Sequence, residues 1–218
     1  MFGVLDPKTP SDLGAQSQRT RIIDAMVQSC AEKAYTGTTI TDIVARAAIS
    51  RTTFYKHFAD KRACFDAAVD TCVEEIREVA GEAHTSADLP VEAVPKATAA
   101  ILERMAANPA LAQLLTGDAV AVEPAVVDRY RRLVIPAAAG LWDTAGEPQT
   151  PSMDPGLAFS RAQLLIFNQI AAGRSALLPK LLPEIVYLAV APFAGHERAL
   201  EQVSLAERSL GSRNSADR

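Results

Sequence analysis

Aromatic side chains are scarce in this sequence, at 6% of 218 residues, while apolar residues reach 49% and alanine is abundant. A core this poor in rings and rich in small residues suits closely packed helices. Strand-like alternation of apolar and polar residues is absent, which excludes a sheet architecture. Cysteine is sparse as well. Three residues (30, 64 and 72) are an odd number with no metal-ligand spacing, so they build neither a disulfide framework nor a zinc site and fit a reducing cytoplasm. Cys30 continues the apolar stripe Ile22–Met26–Cys30–Ala34, and plain packing is favoured over a redox role for Cys64 and Cys72. Motifs of the GxSxG, HExxH, Walker A and CxxC types are missing, and the three histidines (57, 84 and 196) are far apart. No enzyme, metal or cofactor constellation is therefore expected. The start, MFGVLDPKTPSDLGAQSQ, lacks the basic and apolar regions of a signal peptide. The most apolar stretch, 177–194, carries Lys180, Glu184 and three prolines, so no membrane span is expected.

A net positive balance is missing from most of the chain but not from one segment near its start. The whole carries −4, yet residues 17–62 hold eight Lys or Arg against four acids, +4, while residues 63–218 hold 13 against 20, −7. An acidic protein with its basic charge confined to one segment has an electrostatic footprint for DNA there.

That segment contains two short apolar-faced helices and a tight turn. Thr39 is a good N-cap and Asp42 follows at capping-box spacing. Ile40, Ile43, Val44 and Ala47 then give one apolar face over about 40–47. Ala48 and Ile49 make the turn, and Ser50 can cap a second helix in which Phe54 and Phe58 share the buried side. Arg51, Thr52, Tyr55 and Lys56 are left pointing outward. A recognition helix presents its N-terminal residues to base edges in the major groove. Arg51 suits guanine O6 and N7, and Thr52 and Thr53 suit bases or a thymine methyl. Tyr55, Lys56 and His57 lie further along and suit phosphates, as does Lys61 behind Asp60 at the start of the next helix. Thr39 and Ser50 complete the expected DNA-binding set. A solvated polar helix is the bland alternative, and the charge asymmetry weighs against it.

The run Arg19–Phe65 resembles the N-terminal domain of the tetracycline-repressor (TetR) family of bacterial regulators. Ile22, Ile23, Ala25, Tyr35, Thr38, Thr39, Asp42, Ile43, Arg46, Ala47, Ile49, Ser50, Thr53, Phe54, Tyr55, His57, Phe58 and Lys61 carry the resemblance without gaps. Ala48 stands where a turn glycine is common, and Thr52 falls where relatives vary to choose operators. The resemblance implies an all-α fold of about nine to ten helices. It divides into a flexible arm (1–16), a three-helix helix-turn-helix domain (17–64), a helical effector-binding and dimerisation domain (65–210) and a disordered tail (211–218).

Downstream, helices are expected at about 60–83, 91–107, 109–116, 124–144, 156–174 and 181–191, with Pro192 ending the last and Gly195 opening another to about 210. The resemblance implies a ligand cavity among the central helices. Candidate walls are Met105, Leu114, Trp142, Phe159 and Phe167, with Gln163 and Asn168 as polar contacts, and such walls suit an apolar small-molecule effector. It also implies a homodimer formed by the last two major helices, with Leu157, Leu164, Ile170, Ile185, Leu188 and Phe193 as interface candidates. The expected function is a cytoplasmic, ligand-responsive repressor on a palindromic operator. An activator on the same fold, or a helical small-molecule-binding protein without DNA binding, are the alternatives.

Overall fold

The computed structural model describes residues 10–87, 92–118 and 154–216, with side chains described for 17–210 of these. All regular structure among the described residues is helical. In chain order the α-helices are α1 (Pro10–Gly37), α2 (Ile40–Ala47), α3 (Arg51–His57), α4 (Lys61–Thr85), α5 (Ala93–Ala107), α6 (Pro109–Gln113), α7 (Pro155–Ala171) and α8 (Leu182–Ala216). A π-helical turn, Leu114–Asp118, follows α6, and a 3-10 turn, Ser175–Leu181, precedes α8. Eight α-helices among the described residues fall short of the nine to ten expected, and the helix expected at 124–144 lies outside the described residues.

The chain divides into two compact units, Met1–Thr71 and Cys72–Arg218, so the division falls inside α4, later than the expected boundary at residue 64. In the first unit Ile22, Met26 and Cys30 of α1, Ile43 and Ala47 of α2, Phe54 of α3 and Cys64, Phe65 and Ala68 of α4 form one buried core. In the second, Leu102, Met105, Leu111, Leu114, Leu178, Leu182, Val186 and Val190 are buried.

Several boundaries differ from the sequence expectation. Helix α1 begins at Pro10, not at residue 17. Proline is at home in a helix's first position, and Gly14, a penalty of about 1 kcal/mol, does not stop propagation toward the apolar stripe. At the other end α8 runs on through Gly211 to Ala216, where a disordered tail was expected from 211. The break within α8 falls at Gly195 (φ 80°), not at Pro192. Glycine carries the positive φ at no steric cost, and the helix accommodates the proline ring one turn earlier. The expected helix 109–116 is instead α6 followed by the π turn. By length and composition the stretch Ser175–Leu210 could cross a membrane. However, the turn ending at Leu181 and the break at Gly195 divide it, and Leu178, Leu182, Val186 and Val190 are buried in the core.

Candidate nucleic-acid interface

The helix-turn-helix is fixed by its caps. Thr39 opens α2: its amide donates to Asp42 Oδ2 (2.9 Å), its hydroxyl donates to the same oxygen (2.7 Å), and the Asp42 amide donates back to Thr39 Oγ1 (3.2 Å). This is the reciprocal capping box, worth about 1 kcal/mol for the cap alone. Lys33 of α1 adds an ion pair to Asp42. Together the Lys33 ammonium and the Thr39 donors hold the Asp42 carboxyl well below the usual aspartate range. The turn is reversed at Ala48, which takes the left-handed conformation (φ 51°, ψ 52°) and donates its amide to the Val44 and Ala45 carbonyls. Ser50 then caps α3, accepting from the Thr53 amide at 3.0 Å, with the two hydroxyls 2.9 Å apart.

Helix α3 buries Phe54 and, at its C-cap, Phe58. Arg51, Thr52, Tyr55 and Lys56 are exposed together, Tyr55 by 51%. Helical spacing sets the 51, 52, 55, 56 side opposite the buried phenylalanines. Thr53 and His57 are half-buried at the margins, and His57 Nε2 lies 3.4 Å from Gln18 Oε1 of α1.

The sequence charge of +4 is not spread evenly over the interface. Arg19 lies over the Phe58 ring, 5.1 Å from its centroid. Arg21 donates to the Ala47 and Ala48 carbonyls. Lys33 pairs with Asp42, Arg46 with Glu32 and Arg62 with Asp66. Lys61 donates to the carbonyls of Tyr35 (3.0 Å) and Thr38 (2.9 Å) and sits 4.1 Å above the Tyr35 ring. Among the described basic residues of 17–62, Arg51 and Lys56 are the two without such a partner, and both lie on the exposed side of α3. The structure therefore gathers Arg51, Thr52, Tyr55 and Lys56 on one face. It commits much of Thr39, Ser50 and Lys61 to internal bonds. The roles of Arg21 and Lys33 were not anticipated. The Lys33–Asp42 pair had a weak signal in opposite charges either side of the cap, and Arg21 had none.

The three thiols are buried, and burial pushes Cys64 up to about 12, so that thiol stays protonated near neutral pH.

In the second unit Met105 and Leu114 are fully buried, Gln163 is buried with Nε2 3.4 Å from the Leu115 carbonyl, and Phe159 and Phe167 are half-buried. Phe167 packs so closely on Gly117 that a Cβ there would lie 2.9 Å from its ring. Asn168 is exposed, and Trp142 lies outside the described residues. Of the expected dimer residues, Leu157 (64%) and Leu164 (57%) are strongly exposed, Ile170 and Phe193 are half-buried, and Ile185 and Leu188 are buried. Among the described residues no cluster of His, Cys, Asp and Glu could hold a metal ion.

Residues 22–68 match the family model for "Bacterial regulatory proteins, tetR family", so the helix-turn-helix segment is of tetR type. The fold is shared with solved regulators. The fatty acid degradation regulator FadR from Bacillus halodurans matches with TM-score 0.64 and 18% identity over 81% of this chain and 96% of its own. A gamma-butyrolactone receptor (ArpA-like protein) gives 0.62 and 20% over 89% and 97%. The transcriptional regulator FadR from Bacillus subtilis, solved in complex with stearoyl-CoA, gives 0.59 and 16% over 81% and 98%. No curated protein matches the chain in sequence.

Proposed function

We infer that this chain, carrying a tetR-type DNA-binding segment at residues 22–68, is a homodimeric, ligand-responsive transcriptional repressor of the cytoplasm. The observation that carries the reading is the sorting of cations. Partners inside the molecule engage the other bases of 17–62, while Arg51 and Lys56 stand unengaged on the exposed face of α3. Unneutralised cations on the exposed face of a capped helix suit a polyanion.

In this reading Arg51, Thr52 and Thr53 read base edges, and Tyr55, Lys56, His57 and Thr39 bear on the flanking phosphates. Ser50 serves chiefly as the cap that sets the register of the readers. One chain has one such helix, whereas a palindromic operator offers half-sites about 34 Å apart. The exposed Leu157 and Leu164 of α7 offer an apolar surface for a second copy.

The effector belongs to the second unit. Its candidate contacts, the apolar Met105, Leu114, Phe159 and Phe167 with the polar Gln163, suit an apolar or amphipathic molecule with one polar group. That relatives of this fold include a receptor for gamma-butyrolactone and a regulator solved with stearoyl-CoA supports the same class. To shift the dimer from 99% to 1% DNA-competent, the effector must prefer one state by roughly 10⁴-fold.

The test is selection from a randomised duplex pool by the purified chain, followed by gel shift. Enrichment of a palindrome bound at two protomers per duplex is the expected result. Recovery of no enriched sequence would sink the reading.

A further inference from the structure

Helix α8 packs on α5, and past its break at Gly195 a cleft of about 250 Å³ lies between the two. The start of α5 gives it Glu92, Pro95, Lys96 and Ala99, and α8 gives it Leu205, Arg208 and Ser209. None of Met105, Leu114, Phe159, Gln163 and Phe167 borders it. The cleft is therefore distinct from the side chains assigned to the effector.

Its lining is sorted by chemistry. Pro95 and Ala99 are buried and Leu205 is half-buried, and the three make an apolar patch. Lys96 and Arg208 bring a cation from each helix. Lys96 Nζ makes only long contacts, 3.7 Å to the Glu92 carboxylate and 3.5 Å to the Ser86 carbonyl, which a second carboxylate can share. The start of α5 adds to the positive side. Glu92 is its N-cap but makes no side-chain cap bond, so the first amides of the helix keep their partial positive charge. Ser209 donates its hydrogen to the Ala206 carbonyl at 2.7 Å and so offers the cleft an acceptor.

A second acceptor lies deeper. Gln202 is two turns from Ser209 and one from Leu205, on the side of α8 that borders the cleft. It is 4% exposed, and its Oε1 has no donor among the described residues. A buried carbonyl oxygen left without a donor is costly. A ligand that brings the donor removes that cost.

We propose that this cleft binds a small carboxylate with an apolar body and a hydroxyl or amide donor at its far end. The carboxylate meets Arg208 and Lys96 beside the start of α5. The body lies on Pro95, Ala99 and Leu205, and the donor reaches Gln202 Oε1. Helix α8 sets the spacing of the two ends, because six residues from Gln202 to Arg208 span about 9 Å along its axis. At about 250 Å³ the cleft is smaller than the roughly 300–1,000 Å³ of drug-sized sites. The occupant is therefore a metabolite of about one ring, not a long acyl chain.

The test titrates three probes into the full chain and follows its amide resonances by NMR. 4-Hydroxyphenylacetate carries all three features, phenylacetate lacks the far donor, and 2-(4-hydroxyphenyl)ethanol lacks the carboxylate. Saturable shifts are expected at 92–99 and 202–209. Phenylacetate should bind about three- to tenfold more weakly than 4-hydroxyphenylacetate, and the alcohol about tenfold or more. Arg208→Gln, at an exposed position, should weaken both acids about tenfold and leave the alcohol unchanged. Gln202→Leu should abolish the gap between the two acids and raise the unfolding midpoint of the empty chain. Equal binding of the three probes, shifts confined to other residues, or no saturable binding in the millimolar range would overturn the proposal. So would a Gln202→Leu chain that still separates the two acids, since the donor would then have another acceptor. None of these outcomes involves DNA, so the regulator reading stands or falls by its own test.

Discussion

Arg21 of α1 donates its guanidinium to the carbonyl of Ala48, 3.1 Å away, and also to that of Ala47. These are orphan carbonyls at the end of α2, and the cation also complements the negative end of that helix. Arg21 thus joins α1 to the turn of the helix-turn-helix by a bond that spans 27 residues.

Removing it should loosen the turn. Hydrogen bonds to charged groups contribute about 1.5–3 kcal/mol when sheltered, and the exposure of Arg21 brings the expectation for Arg21→Met down to about 1–2 kcal/mol. Denaturant unfolding followed by helical circular dichroism measures this. An unchanged midpoint would mean that water replaces the guanidinium without loss.

Ala48 itself is a position where the sequence is not the best for the backbone. Its φ of 51° and ψ of 52° lie in the left-handed region, which costs a residue with a Cβ about 1–2 kcal/mol. Glycine is free of that cost but loses about 0.5–1 kcal/mol more in unfolded-chain entropy. Ala48→Gly should therefore stabilise the chain by about 0.5–1 kcal/mol, read as a raised unfolding midpoint. Destabilisation would show that the Ala48 methyl makes a contact worth more than the strain.

Asp42 ties stability to pH. Its carboxyl is held below the ordinary 3.8, first by the Lys33 ammonium and then by the hydroxyl and amide of Thr39. A folded value that is depressed means stability present above 3.8 and lost as the pH falls below it, when the unfolded chain binds the proton first. Asp42→Asn should be less stable than the wild type at neutral pH, and the gap should close in acid. Parallel acid titrations of the two proteins check this, and a gap that persists undiminished well below pH 3.8 would refute it.

These residues also show how far the sequence could be read. The Thr39–Asp42 box and the exposed set Arg51, Thr52, Tyr55 and Lys56 follow from spacing within one helix, which the sequence carries directly. The inward turn of Lys61 and the reach of Arg21 do not. Their acceptors are backbone carbonyls 23 to 27 residues away, and every residue has a carbonyl, so no residue type marks the partner. For the same reason a count of +4 over residues 17–62 could not tell which cations remain available. A capping side chain is one signal that makes a helix end legible. Asp154, whose carboxylate accepts from the Leu157 amide at 2.8 Å, fixes the start of α7 within a residue of expectation. The break in α8, by contrast, went to Gly195 over the more conspicuous Pro192.

Arg51 and Lys56 should fail differently. Arg51→Ala should cost about 1–3 kcal/mol on the selected duplex and relax discrimination at one base pair. Lys56→Ala should weaken selected and random duplexes alike and reduce the salt slope by about 0.9. Quantitative gel shifts over a salt series separate the two. Identical behaviour of both variants would mean that α3 meets DNA only through charge.

The dimer surface can be tested without reference to DNA. Leu157 and Leu164 sit seven residues apart, two turns along α7, and are exposed by 64% and 57%. At such exposure a polar replacement removes little packing within one chain, so Leu164→Glu should leave the helical content and the monomer's fold unchanged. In a twofold interface the same substitution acts twice and buries two carboxylates against apolar surface without partners, which costs several kcal/mol per ion. Sedimentation velocity should therefore show a dimer for the wild type and a monomer for Leu164→Glu. Affinity for a palindromic duplex should fall steeply while affinity for a single half-site is retained, because each α3 is intact and only the second contact is lost. A variant that remains dimeric and binds the palindrome as before would place the self-association surface elsewhere than on this face of α7.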